Sequence, residues 1–253
     1  WQVRDLLIIS RKENGMINKD SKQELDEVVA QAALQQTESQ QQAQALAPGA
    51  AQQQDKPSFV KVSPFNDYRL EGLKMDPPKE LCPHILVEHE TTILFSGPGV
   101  GKTALATQIA FELAEQGMRV LVVNFELSQQ QLALRYPNKE FPNTLYHASI
   151  DYTKMHDVTD QNLILPEIER LAVERNIELI IIDNFTNLCI NSKEAAEAGN
   201  IMVKLLAMRM THNWTMLILA HVPKRKQGDP LTIDDLAGSK LLSNLADNVI
   251  GFN

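Results

Sequence analysis

From Thr92 onward the chain carries short runs of apolar, often β-branched residues: Thr92 to Ser96, Arg119 to Phe125, Leu145 to Ile150, Glu178 to Asp183 and Thr215 to Ala220. Runs of this length that stay apolar, instead of alternating with polar residues, predict strands buried on both faces. Between them, Lys102 to Gln116, Gln161 to Arg175 and Lys193 to His212 place apolar residues at three- and four-residue steps, as in Ile164, Ile168, Leu171 and Ile201, Leu205, Met208. That spacing gathers them on one face of a helix. Gly117 follows the first helix at the position where a left-handed residue commonly ends one. Strands alternating with amphipathic crossovers predict an α/β fold with a mostly parallel sheet, and ligand sites outside the carboxyl ends of its strands.

The pattern changes before Ser63. From Gln31 to Gln54 ten of 24 residues are Gln, mixed with Ala, and Pro48, Gly49 and Pro57 close the stretch. Such a composition supplies no core of its own. Leu25, Val28, Val29, Ala32 and Ala33 nevertheless recur at helical spacing. Residues from Ser21 to about Leu46 therefore read either as a disordered leader or as a polar linker helix that packs on a neighbouring subunit. With turn punctuation at Pro77, Pro78 and Pro83, the expected division is an N-terminal segment, residues 1–62, that is helical or partly disordered, and a catalytic domain, residues 63–253.

Composition narrows the classes. A hydrophobic share of 43% is ordinary for a globular protein, and the formal net charge of -8 excludes a generally basic nucleic-acid coat, so such a contact needs a local patch. Cys82 and Cys189 belong to no CxxC or Cys/His pattern and read as reduced thiols of a cytoplasmic protein without a zinc site. The apolar runs Leu179 to Ile182 and Thr215 to Ala220 fall short of the ~20 residues of a membrane span, so no membrane partner is expected. Trp1 to Ser10 lacks an initiating Met and a basic leader, which reads as a fragment rather than a signal peptide.

Between the first of these strands and the first of these helices stands Ser96-Gly97-Pro98-Gly99-Val100-Gly101-Lys102-Thr103. Glycines let the backbone fold tightly and aim successive N–H groups at one point beside the positive end of the helix, which suits a polyphosphate. Lys102 would bridge the β- and γ-phosphate oxygens of ATP, and the Thr103 hydroxyl would face Mg²⁺. Ala104, the next residue, completes the expected nucleotide-binding set. The strict motif begins with Gly; here Ser96 stands first and Gly97 follows.

Two carboxylates end predicted strands. Asp183 closes Leu179-Ile180-Ile181-Ile182, where it would hold Mg²⁺ at the sheet's carboxyl edge; alone, it would read as a turn or helix cap. Glu126 closes Val120 to Phe125 and is the candidate for polarising the attacking water, the alternative being a solvated glutamate at the start of a helix before Ser128. His221 ends the strand Thr215 to Ala220, where it would sense the γ-phosphate or else make an ordinary turn contact. After it, Lys224, Arg225 and Lys226 form a basic loop in an acidic chain, suited to a nucleic-acid backbone or simply to solvent. Arg225, or Lys240 in Ala237-Gly238-Ser239-Lys240, is the candidate cation for a neighbour's active site.

This order of phosphate loop, Val123-Asn124-Phe125-Glu126-Leu127-Ser128, Asp183 strand, His221 strand and the segment Leu236 to Val249 resembles the RecA-like ATPases over about Ile85 to Asn253, and within them the hexameric replicative helicases and the RepA-like helicase ATPases of plasmids and mobile elements. The resemblance implies a three-layer RecA-like core, Glu126 as catalytic glutamate, His221 as sensor, DNA contact by the 222–232 loop, and a hexameric ring or filament. It implies ATP hydrolysis coupled to movement on single-stranded DNA. The same residues serve KaiC-like regulatory ATPases and recombinase-type assemblies, since fold does not settle function. A small-molecule kinase would need a lid with several arginines, and few follow the phosphate loop.

Overall fold

The computed structural model describes residues 6–11, 60–154, 163–189, 195–222, 231–236 and 240–252. They fall into two units, one of residues 60–77 and one that joins residues 6–11 to those from Pro78 onward. The smaller unit holds a single described helix, α1 (Phe65–Leu73), with Asp67 in its first turn and Leu70 as its buried residue. The Ser21 to Leu46 helix expected from the sequence lies outside the described residues.

In the larger unit the strands are β1 (Leu6–Arg11), β2 (Glu80–Cys82), β3 (Leu86–Val87), β4 (Thr91–Ser96), β5 (Val120–Asn124), β6 (Leu145–Ser149), β7 (Leu179–Asp183), β8 (Thr215–His221) and β9 (Asn248–Phe252). Its helices are α2 (Lys102–Glu115), α3 (Gln129–Arg135), α4 (Ile164–Glu174), α5 (Ala195–His212) and α6 (Lys240–Leu245). A seven-stranded sheet runs in the order β1-β9-β4-β8-β7-β5-β6. All its pairings are parallel except that of β1 with β9, and β2 and β3 form a separate antiparallel pair.

Every residue of β4 and of β7 is buried. Successive side chains enter opposite layers, as the two-residue period of a strand requires. Leu94, Leu179, Ile181, Leu217 and Leu219 pack with Ala106, Ile109, Ala110 and Leu113 of α2. On the other face Ile93, Phe95, Ile180, Ile182, Met216 and Ile218 pack with Ile164 and Ile168 of α4 and with Met202 and Leu205 of α5. The result is the expected three-layer α/β architecture with a mostly parallel sheet. Gly117 takes φ 94° after α2, with its N–H donating to the Ala114 carbonyl at 3.0 Å, which is the helix stop read from the sequence.

Five strands depart from the sequence reading, two of them the short β2 and β3, which no apolar run marked. β6 alternates partly buried and exposed residues instead of running apolar, because it ends the sheet's hydrogen-bonded order. β1 was not expected: Leu6–Arg11 falls within residues 1–62, read as a helical or disordered segment, yet it pairs with β9 across a bulge between Ile8 and Ser10. β9 itself, with Gly251 inside a short run, gave no strand signal.

Candidate functional site: a phosphate loop and four converging strands

β4 ends at the fully buried Ser96, and α2 begins six residues later at Lys102. Gly99 (φ 78°) and Gly101 (φ 111°) turn the chain between them through left-handed conformations that L side chains rarely adopt. The first N–H groups of a helix have no intrahelical partner, and here they belong to Lys102, Thr103 and Ala104, with the first helical bond made from Leu105 to the Gly101 carbonyl at 2.9 Å. Lys102 is 5% exposed and folds back over the loop, where Nζ donates to the carbonyls of Ser96 (2.8 Å) and Gly97 (3.0 Å) and to Ser96 Oγ (3.2 Å). The irregular first position of the motif is therefore occupied by a side chain that the lysine uses. Ser96 Oγ also donates to the Gly97 carbonyl at 3.2 Å, so its buried hydroxyl is satisfied.

The parallel register aligns Ser96 with His221, and Asn124 with Asp183. Asp183, 4% exposed, accepts a hydrogen bond from the Thr103 hydroxyl, which ties the carboxyl end of β7 to the first turn of α2. Burial, reinforced by the Glu126 carboxylate, raises the Asp183 pKa against the opposing pull of Thr103, His221 and Lys102. Burial likewise lowers the Lys102 pKa, opposed by Asp183 and Glu126. Both charges are thus short of compensation, which fits a site completed by a divalent cation and polyphosphate. Thr103 and Asp183 supply hard oxygen donors, and among the described residues no cluster of three His, Cys, Asp or Glu forms a metal site. Mg²⁺ held there would take its other ligands from water and phosphate, and when bound it would supply positive charge against the phosphate oxygens.

Glu126 lies in the turn between β5 and α3. Asn124 Oδ1 accepts the N–H groups of both Glu126 and Leu127 at 2.8 Å, and Ser128 caps α3 in a reciprocal box with Gln131. The cap is therefore Ser128, which leaves the Glu126 side chain for other contacts. Its Oε1 accepts a hydrogen bond from Asn184 Nδ2 and lies 3.3 Å from His221 Nε2. Ser96 to Thr103, Glu126, Asp183 and His221 thus meet along one edge of the sheet. Lys224, Arg225 and Lys226 lie outside the described residues, and Lys240 opens α6 with its side chain outside them. The sequence reading passed over Asn124 and Asn184, both buried; their only signal was a polar residue ending or following an apolar strand.

A strand-loop-helix phosphate cradle with acidic strand ends beside it, on this sheet order, defines an ATPase of RecA-like fold. The family described as an AAA domain matches residues 56–227, and the chain belongs to it. A DNA repair protein RadA of Synechocystis is 30% identical over 172 residues, 63% of this chain and 32% of that protein. The RadA of Campylobacter jejuni is 27% identical over 174 residues, 66% of this chain and 34% of its own length. The match thus spans about a third of these relatives. Among solved structures, the KaiC-like protein PH0186 of Pyrococcus horikoshii superposes with a TM-score of 0.51 at 17% identity, covering 65% of this chain and 71% of that one, which shows the shared fold.

Proposed function

We propose that the protein hydrolyses ATP and couples the cycle to movement on single-stranded DNA as a ring- or filament-forming motor, of the helicase type that serves replication of a plasmid or mobile element. The observation that carries the hydrolytic part is the convergence of Glu126, His221, Asp183 and the phosphate loop on one sheet edge. Lys102 would leave the Ser96 and Gly97 carbonyls for the β- and γ-phosphate oxygens. Glu126 would accept a proton from the water that attacks the γ-phosphorus as the bond to the ADP oxygen breaks. His221, within reach of the same carboxylate, would report the γ-phosphate to the 222–232 loop. Lys224, Arg225 and Lys226 there are assigned to DNA, and Arg225 or Lys240 to a neighbouring subunit's phosphates.

A second reading is an assembly or regulatory ATPase of the KaiC-like or recombinase type, without unwinding. It is favoured by relatives that are named for DNA repair and by the KaiC-like fold neighbour. One experiment separates the two: ATP turnover with and without single-stranded DNA, read beside native mass and strand displacement from a forked duplex. The motor requires an oligomer with DNA-stimulated turnover and displacement. Slow turnover indifferent to DNA selects the assembly ATPase, and absence of hydrolysis defeats both.

A further inference from the structure

We propose that Asn184 is a positioning residue for hydrolysis: its amide holds the Glu126 carboxylate at the phosphate edge in the orientation from which it takes up the proton of the attacking water. The inference rests on the assignment of Glu126 as base. Asn184 follows Asp183 directly and is 1% exposed. Its two ends are committed in opposite senses. Oδ1 accepts the Asn187 N–H at 3.3 Å, starting the 3-10 turn Phe185–Leu188, so the amide nitrogen is the end presented to Glu126 Oε1. Turning the amide over would set oxygen against carboxylate and N–H against N–H. The turn therefore fixes the orientation of the group that holds the glutamate.

The geometry also selects one oxygen. Asn184 and His221 both address Oε1, one from just past β7 and the other from the end of β8, so the carboxylate is held at one atom while Oε2 has no partner among the described residues. Glu126 is half-exposed on a turn and would otherwise sample several rotamers. The donor that restrains it comes from a residue whose own backbone is set by the buried strand. Misplacing a reacting group by about 1 Å costs on the order of 10²-fold in rate, so loss of this restraint falls on the chemical step.

The competing role for Asn184 is to cap the 3-10 turn, and substitution separates the two. Asn184→Asp keeps the shape and the acceptor for the Asn187 N–H, but it removes the donor and sets a second carboxylate against Glu126. Asn184→Ser keeps a capping oxygen on a side chain too short to span to Glu126. With either folded variant, kcat should fall about 10- to 100-fold while KM for ATP and the Kd of a fluorescent ADP analogue stay within about threefold. In the Glu126→Gln background, adding Asn184→Asp should cost nothing more, because the group it acts through is already gone. If Glu126→Gln itself hydrolyses normally, the base assignment fails. If Glu126→Gln is inactive but both Asn184 variants keep kcat within about twofold, or lose only KM, only the role of Asn184 is overturned. Unfolding of both variants would likewise make it a structural cap.

Discussion

Asp183 ends a strand whose every residue is buried, and the hydrogen bond from the Thr103 hydroxyl is the main contact that favours its ionised form, with smaller contributions from His221 and Lys102. Burial raises its pKa above the ordinary carboxyl value of 3.8 in spite of them. A carboxyl group whose pKa rises on folding contributes stability that is present below the unfolded value and lost as pH climbs through the folded one. The ionised form of Asp183 is therefore a net cost to the fold. Asp183→Asn removes that charge, keeps the shape and still offers Thr103 an acceptor oxygen. Relieving a functional site of such a cost commonly stabilises a protein by about 0.5–2 kcal/mol. In a chain of this size each kcal/mol moves Tm by roughly 2–4 °C.

The assay is thermal melting from pH 4 to 8 in chelator without nucleotide, repeated with Mg²⁺ and ATP. Without nucleotide the variant should melt above the wild type at pH 7, and the gap should close toward pH 4 as the wild-type carboxyl is protonated. With Mg²⁺ and nucleotide at about 100 times Kd, the wild type gains about 2.7 kcal/mol and the variant, lacking the anionic ligand, gains less, so the order reverses. Mg²⁺-dependent turnover should be lost in the variant. A variant that melts below the wild type at pH 7 without nucleotide, or a gap that ignores pH, would refute the reasoning.

Lys102→Ala removes the lysine's three hydrogen bonds to the loop together with its charge, and binding of a fluorescent ATP analogue should fall below detection along with turnover. Glu126→Gln should keep nucleotide binding and lower kcat by about 10²- to 10⁴-fold, the usual contribution of a positioned base; retained hydrolysis in a single-turnover assay removes the assignment. Replacing Lys224, Arg225 and Lys226 together by Ala should weaken single-stranded DNA binding and flatten its log–log salt dependence by roughly 2, at about 0.7 per phosphate contact; an unchanged slope returns the loop to solvent.

What the sequence made legible was what elementary chemistry constrains locally. A loop that wraps phosphate must have glycine where φ is positive, and Gly99 and Gly101 stand there. A parallel strand covered on both faces must be apolar throughout, and β4 and β7 are. Ser96 read as an irregularity in the motif, because its use as a partner of Lys102 depends on the lysine folding back, a contact six residues apart in the chain. Asn124 and Asn184 were hidden for a related reason. A polar residue that ends or follows a strand is as common in turns and caps as in active sites, and both asparagines do cap or turn the chain. The relation of Asn184 to Glu126, 58 residues apart in the chain, exists only because β5 lies beside β7. Leu6–Arg11 was hidden differently: its partner strand is more than two hundred residues away, and no local pattern records that distance.

The sheet order explains why the glutamate needs such holding. β4 carries the phosphate loop and β5 carries Glu126, and β8 and β7 lie between them. At about 4.8 Å per strand the two anchors stand roughly 14 Å apart along the carboxyl edge. Neither Lys102 nor Glu126 spans that width alone, so the groups that link the two must come from the strands between. Asp183 and Asn184 arrive from β7 and His221 from β8. Asp183 reaches toward β4, through Thr103, while Asn184 and His221 reach toward β5, through Glu126. The Asp183-Asn184 pair at the end of β7 thus serves both halves of the site, with one residue turned to Thr103 at the start of α2 and the next to the Glu126 carboxylate. A motif search centred on the phosphate loop finds the first residue of that pair and has no reason to stop at the second.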